Sequence, residues 1–133
     1  MSDKQTLDSR PLSPHLQVYK PQITSVLSIS HRISGVFLSL GLLTMSLFIV
    51  LLALGKDSFF LWILFSSSFL GEVILFGWVF ALSFHMFNGI RHLFWDYGIG
   101  LTITVSKWSG VSVCLASIIT SIIFGIILLE LIL

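Results

Sequence analysis

The sequence predicts an all-α fold: an integral membrane protein with three transmembrane helices. Two observations carry that reading. Of the 133 residues, 56% are hydrophobic and 10% charged, and the mean hydropathy is +1.03, which lies outside the range of ordinary soluble domains. Three apolar stretches, Ile33–Leu54, Phe59–Ile90 and Trp108–Leu129, each reach the ~20 residues that a helix needs to cross a hydrocarbon core of about 30 Å.

The first span is expected over residues 30–54. Ahead of it, "SRPLSPHLQVYKPQ" carries Pro11, Pro14 and Pro21, which remove amide donors and disfavour helix. Residues 1–22 are therefore expected to form an extended cytoplasmic arm, and residues 23–133 the anchor domain. The middle stretch is too long for one perpendicular crossing. A span over 66–91 leaves "FFLWILFSSS" as an interfacial or tilted lead-in and places Glu72 near a headgroup layer, where its carboxylate reaches water. On the third span, 108–130, Ser117, Ser121 and Gly125 recur every fourth residue, a small-residue stripe suited to close helix approach.

Lys and Arg set the orientation. Lys4, Arg10, Lys20 and Arg32 precede or open the first span, Arg91 and Lys107 flank the second loop, and Lys56 alone falls in the first loop. By the positive-inside rule the N-terminus and second loop are cytoplasmic, with Trp95, Tyr97 and Trp108 as interface anchors there and Trp62 near the opposite side. The opening "MSDKQTLDSRPLSP" has no apolar h-region and contains acidic residues, unlike a secretory signal or a typical transit peptide. The expected location is a bacterial cytoplasmic (inner) membrane.

Other classes are disfavoured. A net charge of +1 is too small to suggest nucleic-acid binding. The single cysteine, Cys114, rules out an intrachain disulfide framework or a cysteine-based metal cluster and reads as helix packing. A phosphate-binding glycine loop, a Ser/His/Asp set and a Cys/His zinc pattern are all missing, so the chain by itself carries no catalytic residues of a hydrolase or nucleotide enzyme.

The polar residues inside the apolar runs hold the functional signal. Ser28, His31, Arg32 and Gly35 are spaced i, i+3, i+4, i+7 on the first span; His85, Gly89 and His92 are spaced likewise on the second. The topology brings both sets to one membrane face. His85 lies six residues before Arg91, about 9 Å deeper, and an intramembrane histidine has three plausible tasks: a hydrogen bond to a neighbouring helix, a proton relay, or an axial bond to haem iron. The surroundings favour the third. Gly89 leaves room for a flat macrocycle, and His31, Arg32, Arg91 and His92 offer cations for its propionates. His92 shares His85's helix face, so it cannot approach iron from the opposite side, and His31 is poorly matched in depth. A second ligand from another chain follows, making this protein one subunit of a multi-subunit helical bundle.

Two stretches resemble a known family. "RPLSPHLQVYKPQITSVLSISHRISG" is similar to the N-terminal signature of the larger, cytochrome b membrane-anchor subunit of succinate:quinone oxidoreductase (succinate dehydrogenase, respiratory complex II), with Ser28, His31, Arg32 and Ser34 at its Ser-x-x-His-Arg-x-Ser positions. "HMFNGIRHLFWDYG" resembles its second signature, with His85, Gly89, Arg91, His92, Asp96 and Gly98 in place. The resemblance covers residues 10–133.

It implies that His85 is an axial ligand of one haem b shared with a smaller anchor subunit. It further implies that His31 and Arg32 lie near the propionates and that Ser28 and Arg32 bind ubiquinone, the substrate. Gly89, Arg91 and His92 would belong to the haem pocket, with Asp96 capping or pairing locally with Arg91. The implied partners are the smaller anchor, the iron–sulfur subunit, the flavoprotein where succinate is oxidised, and the lipid membrane. The alternatives are the anchor of a quinol:fumarate reductase, which runs the chemistry in reverse, and a non-enzymatic helical scaffold or transporter component in which His85 only hydrogen-bonds.

Overall fold

The computed structural model describes residues 20–132 and contains four helices: α1 Ile23–Ala53, α2 Lys56–Ser66, α3 Phe69–Asp96 and α4 Ile103–Ile132. Most of the arm expected over 1–22, including Lys4, Arg10, Pro11 and Pro14, lies outside the described residues. Three helices are long and apolar enough to cross a membrane: α1, α3 and the Ile103–Ile127 part of α4. The protein is an all-α membrane protein.

Helix ends follow local chemistry rather than the edges of the apolar runs. α1 starts at Ile23, just after Pro21 and the extended Gln22, so the helix begins ahead of the span expected over 30–54. Ser28, His31 and Arg32 are thus helical, since a backbone entering lipid closes its own hydrogen bonds whatever its side chains. The long middle stretch breaks at three serines. Ser66, Ser67 and Ser68 turn their hydroxyls back onto the carbonyls of Ile63, Leu64 and Phe65, ending α2, and Ser68 Oγ then accepts the Gly71 amide at 3.1 Å to cap α3. Gly71 is obligatory there, because a Cβ would collide with the Phe65 carbonyl oxygen.

At 11 residues, about 16 Å, α2 is too short to cross. It lays Phe59 and Trp62 against Phe48 of α1, with ring centroids 5.8 and 5.1 Å apart. Glu72 is exposed in the first turn of α3, where the helix dipole favours a carboxylate. α3 ends in a Schellman motif: Gly98, at φ 76°, donates to Trp95 O and Ile99 donates to Phe94 O, each at 2.9 Å.

α3 packs against all three other helices. On one side it meets α4, whose small-residue stripe is fully sunk: Ser117 and Ser121 are buried and bond back to Val113 O and Ser117 O, and Gly125 faces Phe76. Near the short loop the contact becomes polar. Arg91, 6% exposed, donates from Nε to Ser109 Oγ (3.0 Å), from Nη1 to Asn88 Oδ1 (3.2 Å), and from Nη2 to Ser106 O (2.9 Å) and Ser106 Oγ (3.2 Å). Its Cζ also lies 4.0 Å over the Trp95 ring. Asp96, expected to cap or pair locally with Arg91, makes no ion pair with it among the described residues; the guanidinium is engaged by Ser106, Ser109 and Asn88. The apolar core is small, with Leu27, Phe84 and Val113 joined by Ile23, Phe87 and Cys114. Gly110 makes the closest approach possible, since a Cβ there would sit 2.5 Å from Leu27 Cδ1.

Most large apolar side chains point outward, Ile33, Leu42 and Ile103 among them. A groove of about 550 Å³ between α1, α3 and α4, lined by Phe37, Phe80, Phe84 and Cys114, stays open. The three long helices do not close on themselves.

Arg91→Met is expected to leave the buried Asn88 Oδ1 without its donor and to remove the bonds that tie α3 to Ser106 and Ser109, at a cost of about 2 kcal/mol or more. Unfolding of the purified protein in detergent, followed by helical circular dichroism, measures it; an unchanged midpoint would remove Arg91 from the α3–α4 contact.

Candidate functional site at the histidine face

The opposite side of α3 meets α1, and there the structure assembles a column of imidazoles. His85 stacks on His31 with ring centroids 3.9 Å apart and planes 13° from parallel, and His92 lies 5.4 Å from His31 on its other side. His92 in turn meets Trp95 edge-on at 5.0 Å. Gly35 is the tight point of the column, and Gly89 leaves ordinary room. A Cβ at Gly35 would stand 3.2 Å from His85 Cε1, and one at Gly89 would stand 4.0 Å from His31 Cε1.

The hydrogen bonds around His85 determine its tautomer. Ser34 Oγ donates to the His31 carbonyl at 2.7 Å, so its proton is committed and its lone pairs face His85. His85 Nδ1 lies 3.1 Å from Ser34 Oγ and 3.3 Å from His31 O, two acceptors, and therefore carries the proton and donates to both. Nε2 is left with its lone pair and takes no hydrogen bond among the described residues. His31 Nδ1 is the reverse case, a buried nitrogen with no hydrogen-bond partner.

The remaining polar residues of the first span divide. His31, Ser34 and Gly35 face α3, whereas Arg32 is exposed and Ser28 half-buried. Neither Ser28 nor Arg32 uses its side chain in a hydrogen bond or ion pair among the described residues, although Ser39, Thr44 and Ser46 further along α1 all bond back to carbonyls one turn earlier. Of the residues singled out in the sequence, the structure gathers His31, His85, Gly89 and His92. It leaves Ser28 and Arg32 at the rim of that group and turns Arg91 away to α4. Ser34 and Gly35 are contacts that the sequence reading did not assign; their signal was the i+3 and i+4 spacing from His31. The three histidines do not form a bare metal-ion site, since the described residues contain no cluster of three donors able to hold one.

The two polar stretches that build this face are also those that carry the family resemblance, and comparison with known proteins bears on it directly. Residues 6–124 match the succinate dehydrogenase/fumarate reductase transmembrane subunit family. The chain belongs to this family. It is 44% identical over 108 residues to the succinate dehydrogenase cytochrome b560 subunit of Marchantia polymorpha, covering 77% of this chain and 79% of that protein. It is 39% identical over 122 residues to the mitochondrial succinate dehydrogenase cytochrome b560 subunit of Mus musculus, covering 89% and 71%. With the succinate dehydrogenase cytochrome b556 subunit of Rickettsia bellii it shares 37% over 119 residues, covering 90% and 93%. It is a cytochrome b-type membrane-anchor subunit of the succinate dehydrogenase family, and its three long apolar helices are the anchor.

Gly35→Val is expected to push the His85 imidazole off its contact with α1, since even a Cβ there is tight, and to cost about 1–3 kcal/mol as an overpacked helix contact. Gly125→Ala, whose Cβ would meet Phe76 at an ordinary 3.6 Å, serves as the control and should unfold with the parent. Equal midpoints for all three proteins in detergent denaturation would contradict the close approach at Gly35.

Proposed function

We propose that this chain is the larger anchor of a succinate:ubiquinone oxidoreductase. It would hold the flavoprotein and iron–sulfur subunits at the membrane together with a smaller anchor, supply one axial ligand of haem b, and line part of the site where ubiquinone is reduced. The observation that carries this reading is the state of His85: Nδ1 is fixed by α1, and Nε2 is left with a free lone pair. Metal-bound histidines are held in this way, with the non-ligating nitrogen donating to a carbonyl or hydroxyl. The relatives' names, cytochrome b560 and b556 subunits, favour a haem ligand over the scaffold reading.

The neighbouring residues fit a haem. Gly35 and Gly89 keep side chains off the imidazole column, the buried His31 Nδ1 lacks a hydrogen-bond partner among the described residues, and His92 and Arg32 stand near enough in sequence register to serve propionates at the membrane face. Arg91 contributes differently, by holding α3 to α4, its donors being engaged there. A bound haem would supply a one-electron store at this face.

Reduction of a quinone takes two electrons and two protons, and its carbonyl oxygens gain negative charge on the way. A hydroxyl donor at Ser28 and a permanently charged guanidinium at Arg32, one helical turn apart and neither engaged among the described residues, suit that need. The basic N-terminal segment and second loop put this face on the cytoplasmic side, within reach of protons and of electrons from a soluble iron–sulfur subunit. The curated relatives are succinate dehydrogenases, which favours succinate oxidation over fumarate reduction as the working direction.

In reduced-minus-oxidised spectra of the purified complex, His85→Ala is expected to abolish the b-type band; a band that survives unchanged would refute the ligand assignment. Ser28→Ala and Arg32→Leu are expected to lower succinate:ubiquinone turnover about tenfold or more, the scale of one charge-assisted or oxyanion hydrogen bond. Succinate oxidation by an artificial dye should persist in both. Unchanged ubiquinone turnover in both variants would overturn the quinone role, whereas equal loss of both activities would indicate failed assembly.

A further inference from the structure

We infer that Ser34 is a positioning residue for the haem ligand, setting the tautomer and the donor strength of His85 through its Nδ1. The inference rests on the reading of His85 as an axial ligand and goes one shell further out.

Ser34 is buried on the face of α1 that meets α3. Its hydroxyl proton goes to the carbonyl of His31 at 2.7 Å, which is an ordinary back-bond within a helix. That commitment has a chemical consequence for the neighbouring helix. With its proton directed at His31, Ser34 Oγ can only accept, and the group 3.1 Å away is His85 Nδ1. The His31 carbonyl, at 3.3 Å, lies at the long end of hydrogen-bond distances, so Ser34 is the better acceptor of the two. Were Ser34 to donate to His85 instead, Nδ1 would have to hold the lone pair and Nε2 the proton, and Nε2 could not bind a metal. The back-bond excludes that tautomer.

Acceptance of the Nδ1 proton by an oxygen also pushes electron density into the ring and strengthens Nε2 as a donor, which favours ferric over ferrous iron. The carbonyl and hydroxyl that do this belong to the same turn of α1. Ser34 therefore joins the register of α1 to the electronic state of a ligand on α3. Gly35, next in the chain, allows the approach, with a virtual Cβ 3.2 Å from His85 Cε1.

The test is a potentiometric titration of the b-type band in the purified complex, with low-temperature electron paramagnetic resonance of the ferric form. Ser34→Ala should retain haem at the parent stoichiometry, because the His31 carbonyl still accepts from Nδ1. It should raise the ferrous-to-ferric ratio at a fixed potential about threefold, an upward shift of about 30 mV at 59 mV per tenfold for one electron, and shift the ferric g-values. Ser34→Thr, which keeps the hydroxyl, should restore both. If the alanine variant does not assemble, Ser34→Cys reads the same upward shift, since a thiol accepts weakly.

Unchanged potential and g-values in the alanine or cysteine variant would overturn the inference, as would a threonine variant that shifts as far as alanine. A b-type band that persists in His85→Ala would instead remove the ligand reading beneath it. The two failures are thus told apart by which variant fails.

Discussion

The capture of Arg91 by α4 is the interaction on which the polar end of the bundle depends. A buried guanidinium in a membrane helix has to find acceptors within the protein, and here it finds Ser106, Ser109 and Asn88. This locks the rotation of α3 about its own axis. Arg91 and His85 are six residues apart, about 240° around a helix at 100° per residue, so turning Arg91 toward α4 turns His85 toward α1. The imidazole column on the other side is, in this sense, a consequence of the clamp. Asn88, three residues before Arg91, supports the guanidinium from within α3 and is itself completely buried.

Within lipid, apolar burial gives little drive for one helix to prefer another, and helix pairs are held by close backbone approach and interhelical hydrogen bonds. The chain uses both, in different places. Gly110 against Leu27 and Gly35 against His85 are close approaches; Arg91 to Ser106 and His85 to Ser34 are hydrogen bonds. Several other serines bond only to their own helix, satisfying themselves without choosing a neighbour. The small core and open groove leave wide apolar faces, as suits a subunit completed by lipid and other helices.

The candidate site was legible in the sequence to the extent that helical spacing carries it. His31 and Arg32 are one step of about 100° apart around the helix, and that step decides which side chain meets α3 and which stays at the rim. Arg91 illustrates the opposite limit. As a cation beside His92 in a family signature it read as part of the haem pocket or as a partner for Asp96, and nothing local distinguished those roles from a clamp on serines beyond the second loop. Ser34 was visible as a motif position, but its task depends on which way one hydroxyl proton points, and that follows from a carbonyl three residues earlier and an imidazole on another helix.

The sequence alone determined the class and the layout: composition and run length demand spanning helices, because a polar backbone in lipid must satisfy itself along its own segment. It also determined that the histidines meet at one and the same membrane face, because two crossings, an even number, separate them in chain order. Tertiary structure decided the rest. The split of the middle stretch into α2 and α3 depends on three serine hydroxyls and a glycine that tolerates a carbonyl in contact. The division of α3 into a clamped side and a histidine side depends on rotation about the helix axis. Periodicity defines which residues share a face but leaves open which neighbour that face will meet.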